Sequence, residues 1–226
     1  MEKKELLLYH GSNNVVKKPC LDKGKKNNDY GQGFYCTEDI ELAKEWAIDK
    51  NRDGYVNKYL LDVSELKILN LSNKANVLNW ITILLKNRVF ELKSDISNIG
   101  KKYLIENFSL SLDDYDVVIG YRADDSYFSF AESFLNNTIS VERLKEALKL
   151  GDLGEQIVLI SEKAFNSIKF IGYEVALSSI YFPLRENRNH KARSQFLHNK
   201  KGINIENSLY LSDIMKGDFR NDPRIQ

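Results

Sequence analysis

Leu8-Tyr9-His10-Gly11-Ser12, Tyr30-Gly31-Gln32-Gly33-Phe34-Tyr35-Cys36-Thr37, Trp46 and Gly154-Glu155-Gln156-Ile157-Val158-Leu159 are the segments from which the fold is read. Leu6 to Tyr9 is a short apolar run stopped by a glycine, the pattern of a buried first strand. Residues 13–33 are rich in Asn, Lys, Gly and Asp and include Pro19, so they form a long loop. Thr37 is placed to cap a helix whose first turn carries Glu38 and Asp39. Leu42, Ala43, Trp46 and Ala47 then fall on one face of that helix.

Outward from these segments, Tyr55 to Leu71 alternates as one or two strands, and Asn76 to Leu92 reads as an amphipathic helix burying Leu78, Ile81, Leu85 and Val89. Val117 to Tyr121 is a strand ending in the polar turn Arg122-Ala123-Asp124-Asp125-Ser126. Helices follow near Phe130 to Asn136 and from Val141 to Leu150, the second capped by Ser140 and stopped by Gly151. Ile157 to Ile160 is a strand, Glu162 to Asn166 a short helix and Ile168 to Ile171 a strand. The elements mix without a regular β-α-β rhythm, which predicts an α+β fold. Pro183 marks the last change of character. Residues 1–183 form one domain, and 184–226 a polar extension, helical to about Asn199 and then a loosely attached tail.

A chain of 226 residues with 42% hydrophobic and 29% charged residues buries a real core and is globular. With 33 Lys+Arg against 32 Asp+Glu, net charge gives no global sign of nucleic-acid binding. The longest apolar run, around Trp80 to Leu85, is too short for a bilayer, and Met1 to Glu5 leads into a strand without a signal region, so no membrane partner is expected. Cys20 and Cys36 lack zinc-ligand partners at usable spacing, as do His190 and His198, so no metal is assigned. A cytoplasmic, reduced protein is the expectation. The basic run Arg185 to Arg193, with Lys200 and Lys201, reads either as a solvated helix face or as a surface for an acidic partner.

Taken in order, the opening segments resemble the NAD-binding core of ADP-ribosyltransferases of the poly(ADP-ribose) polymerase and diphtheria-toxin type. That group is marked by a His-Gly on the first strand, a Gly-x-Gly-x-Tyr turn and a Glu opening a late strand. The stretch from Leu8 to about Phe170, with Tyr121 to Phe128 and Gly154-Glu155-Gln156 as its most specific parts, is similar to a bacterial family grouped with these enzymes. The resemblance implies split antiparallel β-sheets with flanking helices around an NAD cleft. It further implies a mono-ADP-ribosyltransferase acting on a protein or nucleic-acid acceptor, and a toxin–antitoxin setting with a small antitoxin protein as partner.

Transfer of ADP-ribose breaks the bond between a ribose carbon and cationic nicotinamide. The leaving group departs neutral while positive charge builds on the ribose, so the site needs a nicotinamide platform, a ribose holder and a stabilising group. On the resemblance, His10 holds a ribose hydroxyl, Gly11 brings its backbone to the nicotinamide amide, and Ser12 adds a hydroxyl. Gly33 shapes the turn, and Tyr35 stacks on nicotinamide with Trp46, eleven residues on, completing the sandwich. Ala43 stands where those enzymes carry a Ser. Arg122 suits the pyrophosphate, since its fork matches phosphate oxygens, or else pairs with Asp124 or Asp125 to fix its turn. Glu155 or Gln156 stabilises the transition state. Strand alternation turns the two to opposite faces, so only one faces the cleft. Two other functions compete: a catalytically weak or inactive NAD- or nucleotide-binding or partner-docking module on the same fold, and an RNA 2′-phosphate transferase, which would need a set of basic residues around the phosphate that the sequence does not mark.

Overall fold

A computed structural model describes residues 4–92, 94–123, 125–148, 150, 154–198, 208–217, 219 and 222–225. Asp124, Gly151, Asn199, Lys200 and Lys201 lie outside the described residues, and with them the proposed helix stop and the last part of the basic run.

Strand β1 (Glu5–Ser12) leads into a loop that returns as β2 (Phe34–Cys36) and helix α1 (Ile40–Ala47). The cap of α1 is Asp39 rather than Thr37. The Asp39 carboxylate accepts from the N–H groups of Glu41 and Leu42, and Thr37 Oγ1 accepts from Asp39 N–H. A carboxylate there also meets the positive end of the helix dipole. Next come β3 (Gly54–Asp62), β4 (Ile68–Asn70), α2 (Leu71–Lys74), α3 (Val77–Asn87) and α4 (Asp95–Phe108). Helix α3, opened by an Asn76–Asn79 capping box, buries Leu78, Ile81 and Leu85 as the periodicity predicts. It ends at Asn87, so Val89 lies beyond it and is 80% exposed. Periodicity does not predict α4, which buries only Ser97, Gly100, Leu104 and Phe108.

The chain continues through β5 (Val117–Tyr121), α5 (Asp125–Leu135), α6 (Val141–Ala147), β6 (Glu155–Leu159), α7 (Glu162–Asn166), β7 (Ile168–Ala176), α8 (Ser178–His198) and α9 (Leu211–Ile214). Ser140 caps α6 as expected, accepting from Arg143 N–H at 3.3 Å.

The strands form two sheets, β1-β3-β7 and β2-β6-β5-β4. All pairings are antiparallel except β4 with β5, which corrects the expectation of wholly antiparallel sheets. The excursion through α2, α3 and α4 between them is the kind of crossover that parallel neighbours require. Leu8, Tyr59 and Leu61 of the first sheet meet Phe34, Val117, Ile157 and Leu159 of the second in a buried cluster. Helix α1 covers the outer face of the first sheet through Ala43, Ala47 and Val56. Helices α3 to α6 cover the second, packing Leu78, Trp80, Leu84, Phe134 and Leu144 against Val118 and Val158. The result is an α+β layering of helix, sheet, sheet and helices.

The C-terminal region departs from the sequence reading. Helix α8 starts at Ser178 and runs through Pro183, forgoing one backbone hydrogen bond, so the 183/184 boundary falls inside a helix. The described part of the tail is anchored: Leu209, Leu211, Ile214 and Ile225 are buried in the main core. Val141 N–H donates to Leu209 O at 2.8 Å and Val77 N–H to Ile225 O at 3.3 Å, tying the tail to the starts of α6 and α3.

Candidate functional site

The two sheets touch at one end of β1 and part at the other. Tyr9 and Thr37 exchange both backbone hydrogen bonds, at 2.8 and 3.0 Å, forming an isolated bridge between the sheets. Continued, that ladder would next pair Gly11 with Tyr35. It does not continue, because the Tyr35 carbonyl accepts instead from His10 Nδ1 at 2.8 Å. Antiparallel alternation gives Gly11 the orientation of Tyr9, so its N–H and C=O point away from β3 into the gap. That gap opens a cavity of about 790 Å³.

His10, Gly11, Ser12, Gly33, Tyr35, Trp46, Arg122 and Gln156, drawn from five segments, all line this cavity. Glu155 does not. It is exposed, and its carboxylate accepts from Ser72 Oγ at the start of α2. Gln156 is 3% exposed and donates from Nε2 to Asp29 Oδ2 at 2.8 Å and to Tyr121 O at 3.2 Å. Both partners are pure acceptors, which fixes the amide orientation and leaves Oε1 uncommitted by this pair. Of the two, Gln156 therefore faces this cavity and Glu155 does not.

His10 is held as one tautomer. A backbone carbonyl only accepts, so Nδ1 carries the hydrogen. Burial pushes the His10 pKa down, partly opposed by that same hydrogen bond. Nε2 of the neutral ring is therefore a lone-pair acceptor. The Tyr35 phenol donates to Gly31 O at 2.6 Å and accepts from Tyr30 N–H at 3.1 Å, which locks the Gly31–Gly33 turn and leaves its ring as the usable surface. Ser12 Oγ accepts from Asn14 N–H at 3.3 Å, so the hydroxyl also shapes the loop.

A Cβ on Gly11 would meet Ala43 O at 2.1 Å and Ala47 N at 2.7 Å, so the glycine is required by the close approach of α1 to β1. Ala43 is fully buried beside that contact. The Arg122 guanidinium lies over the Trp46 ring at 4.5 Å, so a cation already stacks on one side of the intended sandwich. Trp46 Nε1 is buried without a hydrogen-bond partner among the described residues.

The sequence reading misses Asp29 and Arg88. Asp29, 6% exposed, accepts at Oδ2 from Gln156 and from Ala123 N–H at 2.9 Å, while Oδ1 lies 3.4 Å from Arg88 Nη1. That second contact is an ion pair without hydrogen-bond geometry. Burial pushes the Asp29 pKa up, opposed by Gln156, Ala123 and the two arginines. Its only local signal is its place before Tyr30-Gly31, since its partners are remote in sequence. Tyr30 braces the other side, donating to Tyr121 O at 2.7 Å and accepting from Trp80 Nε1 at 3.1 Å.

A family model described as "Protein of unknown function (DUF3990)" matches residues 6–170. The chain belongs to the DUF3990 family. No curated protein and no solved structure matches the chain. The DUF3990 stretch runs from β1 into β7, so the residues lining the cavity lie within it, whereas α8 and the tail lie outside. Among the described residues of this DUF3990 chain, no three His, Cys, Asp or Glu side chains gather as a metal site, and no helix is long and apolar enough to cross a membrane.

Proposed function

We propose that the chain is an NAD-dependent mono-ADP-ribosyltransferase. The observation that carries this reading is the convergence of His10, Gly11, Tyr35, Trp46 and Gln156 on one cavity that also holds Arg88 and Arg122. The outward N–H and C=O of Gly11 suit a carboxamide, which offers one acceptor and two donors. His10 Nε2 accepts from a ribose hydroxyl, and Arg88 and Arg122 meet the pyrophosphate. The Tyr35 ring gives nicotinamide a flat apolar face.

The C1′–N bond breaks with its electron pair leaving on nicotinamide, and the acceptor's lone pair closes on C1′. Gln156 stabilises the developing positive charge through the dipole of its Oε1, with the Asp29 carboxylate behind its amide nitrogen. The acceptor is a protein or a nucleic acid. A cytoplasmic toxin restrained by a small antitoxin protein is the setting that the resemblance implies.

One observation favours a second reading, a module that binds NAD without turnover: the late-strand residue on the cavity wall, Gln156, is an amide, where the transferase pattern has a carboxylate. Nicotinamide release from NAD by the purified chain separates the two, with NAD binding followed by thermal shift. Release supports the transferase, and binding without release supports the module. Neither binding nor release removes NAD from the site.

A further inference from the structure

Charge on the cavity is one-sided in a way the whole-chain balance conceals. Net charge over the chain is +1, yet residues 17–26 hold Lys17, Lys18, Lys23, Lys25 and Lys26 against Asp22 alone. Of these, Lys17, Lys18, Lys23 and Lys25 line the cavity and Asp22 does not. All four are exposed and form no ion pair with a described residue.

The loop that carries them is fixed. Val16 N–H donates to Asn57 Oδ1 at 2.8 Å, Asn57 Nδ2 donates to Asn14 O at 3.1 Å, and Gln32 Nε2 donates to Leu21 O at 3.1 Å. Asn57 itself is fully buried. The lysines are therefore displayed at the rim by a pinned backbone, while Arg88 and Arg122 sit where Asp29 and Trp46 hold them. A dinucleotide brings only its pyrophosphate charge, which the two arginines can meet. The rim lysines are surplus to it.

We propose that this rim binds the phosphate backbone of a single-stranded nucleic acid, which is the acceptor of the transfer. The inference rests on the transferase reading for its chemistry, though its binding step stands without it. Lysines act as point charges toward phosphates and read no sequence, as a backbone grip requires. A single strand can turn a nucleotide into a cavity of about 790 Å³, which a duplex cannot without extruding it. The nucleophilic nitrogen or oxygen of that nucleotide forms the bond to C1′, nicotinamide leaves neutral with the electron pair, and the nucleophile's proton passes to solvent.

The test uses the full chain, without NAD, and short fluorescein-labelled single-stranded RNA and DNA followed by anisotropy. Four phosphate contacts give a slope of log K against log salt of about −2.8, so raising salt from about 50 to about 200 mM weakens binding roughly 50-fold. Changing Lys17, Lys18, Lys23 and Lys25 together to Ser, at exposed positions where the fold is indifferent, flattens that slope and weakens low-salt binding at least 10-fold. An unchanged thermal midpoint establishes that the variant is folded. The RNA and DNA arms decide which strand is preferred. Absence of binding by the wild-type chain at low salt overturns the proposal, as does a variant that binds with an unchanged slope. So does label from NAD appearing on added protein and never on either oligonucleotide. Nicotinamide release, assayed without nucleic acid, reports separately on the transferase reading.

Discussion

Replacing Gln156 with Glu restores the carboxylate of the transferase pattern and, in this fold, destabilises the protein. Gln156 Nε2 donates to Asp29 Oδ2 at 2.8 Å and to Tyr121 O at 3.2 Å, and a carboxylate can do neither. A hydrogen bond to a charged group contributes about 1.5–3 kcal/mol and a neutral one about 0.5–1.5 kcal/mol. Two charged carboxylates at that 2.8 Å spacing would repel by about 6 kcal/mol at an effective dielectric constant of about 20. Uptake of one shared proton limits the repulsion and re-forms an O–H···O bond. The net loss is about 2–4 kcal/mol near pH 8. The shared proton raises a folded-state pKa above the unfolded carboxyl value of about 4, so the folded variant binds more protons than the unfolded chain. Stability of the variant then falls as pH rises from about 4 through the raised pKa, and the deficit is smaller near pH 5 than near pH 8. Urea unfolding of both proteins at the two pH values measures it. A loss under about 0.5 kcal/mol near pH 8, or one that does not shrink near pH 5, refutes the Asp29–Gln156 contact.

Three further outcomes follow from the geometry. Gly11→Ala forces a methyl against Ala43 O, a backbone atom that cannot turn aside, and lowers stability by about 1–3 kcal/mol in urea unfolding; a neutral result contradicts the α1–β1 approach. His10 titrates below its usual 6.5 because of burial, so the stability from its neutral form is lost as pH falls from about 6.5 through the folded pKa. Nitrogen NMR of the imidazole reports the Nδ1–H tautomer, and an Nε2–H signal would deny its bond to Tyr35 O. Deleting residues 208–226 removes four buried apolar side chains at about 1.5–3 kcal/mol each, comparable to a whole domain's stability, so circular dichroism of the truncated chain lacks a cooperative melt. A truncated chain that melts like the full one shows the tail to be dispensable.

The parts legible in the sequence are those whose causes are local. Ser140 capping α6, the apolar run of β5 and the 3.6-residue spacing in α3 depend on neighbours a few positions away. Helix α4 lacks a wide apolar stripe, because Ser97 and Gly100 fill its buried face where Leu211 presses close, and that partner arrives from far along the chain. The tail reads as polar because its few anchoring residues are scattered among charged ones. In the site, His10 and Tyr35 were marked by their glycine neighbours. Asp29 is defined by Gln156, Ala123 and Arg88, none near it in sequence, and nothing local separates it from the other polar residues of its loop. Alternation stated that Glu155 and Gln156 diverge, but the choice between them depended on where Asp29 and Tyr121 lie.

Nicotinamide release from NAD, compared across the wild-type chain, Gln156→Ala and Glu155→Ala, tests the site most directly. The proposed arrangement requires that the wild-type chain releases nicotinamide and that Gln156→Ala reduces release about 100-fold or more, the scale for one stabilising group in a dry site. Glu155→Ala, which alters an exposed carboxylate beside Ser72, leaves release near the wild-type level. Loss of release in Glu155→Ala with retention in Gln156→Ala would contradict the arrangement and return the catalytic role to the carboxylate.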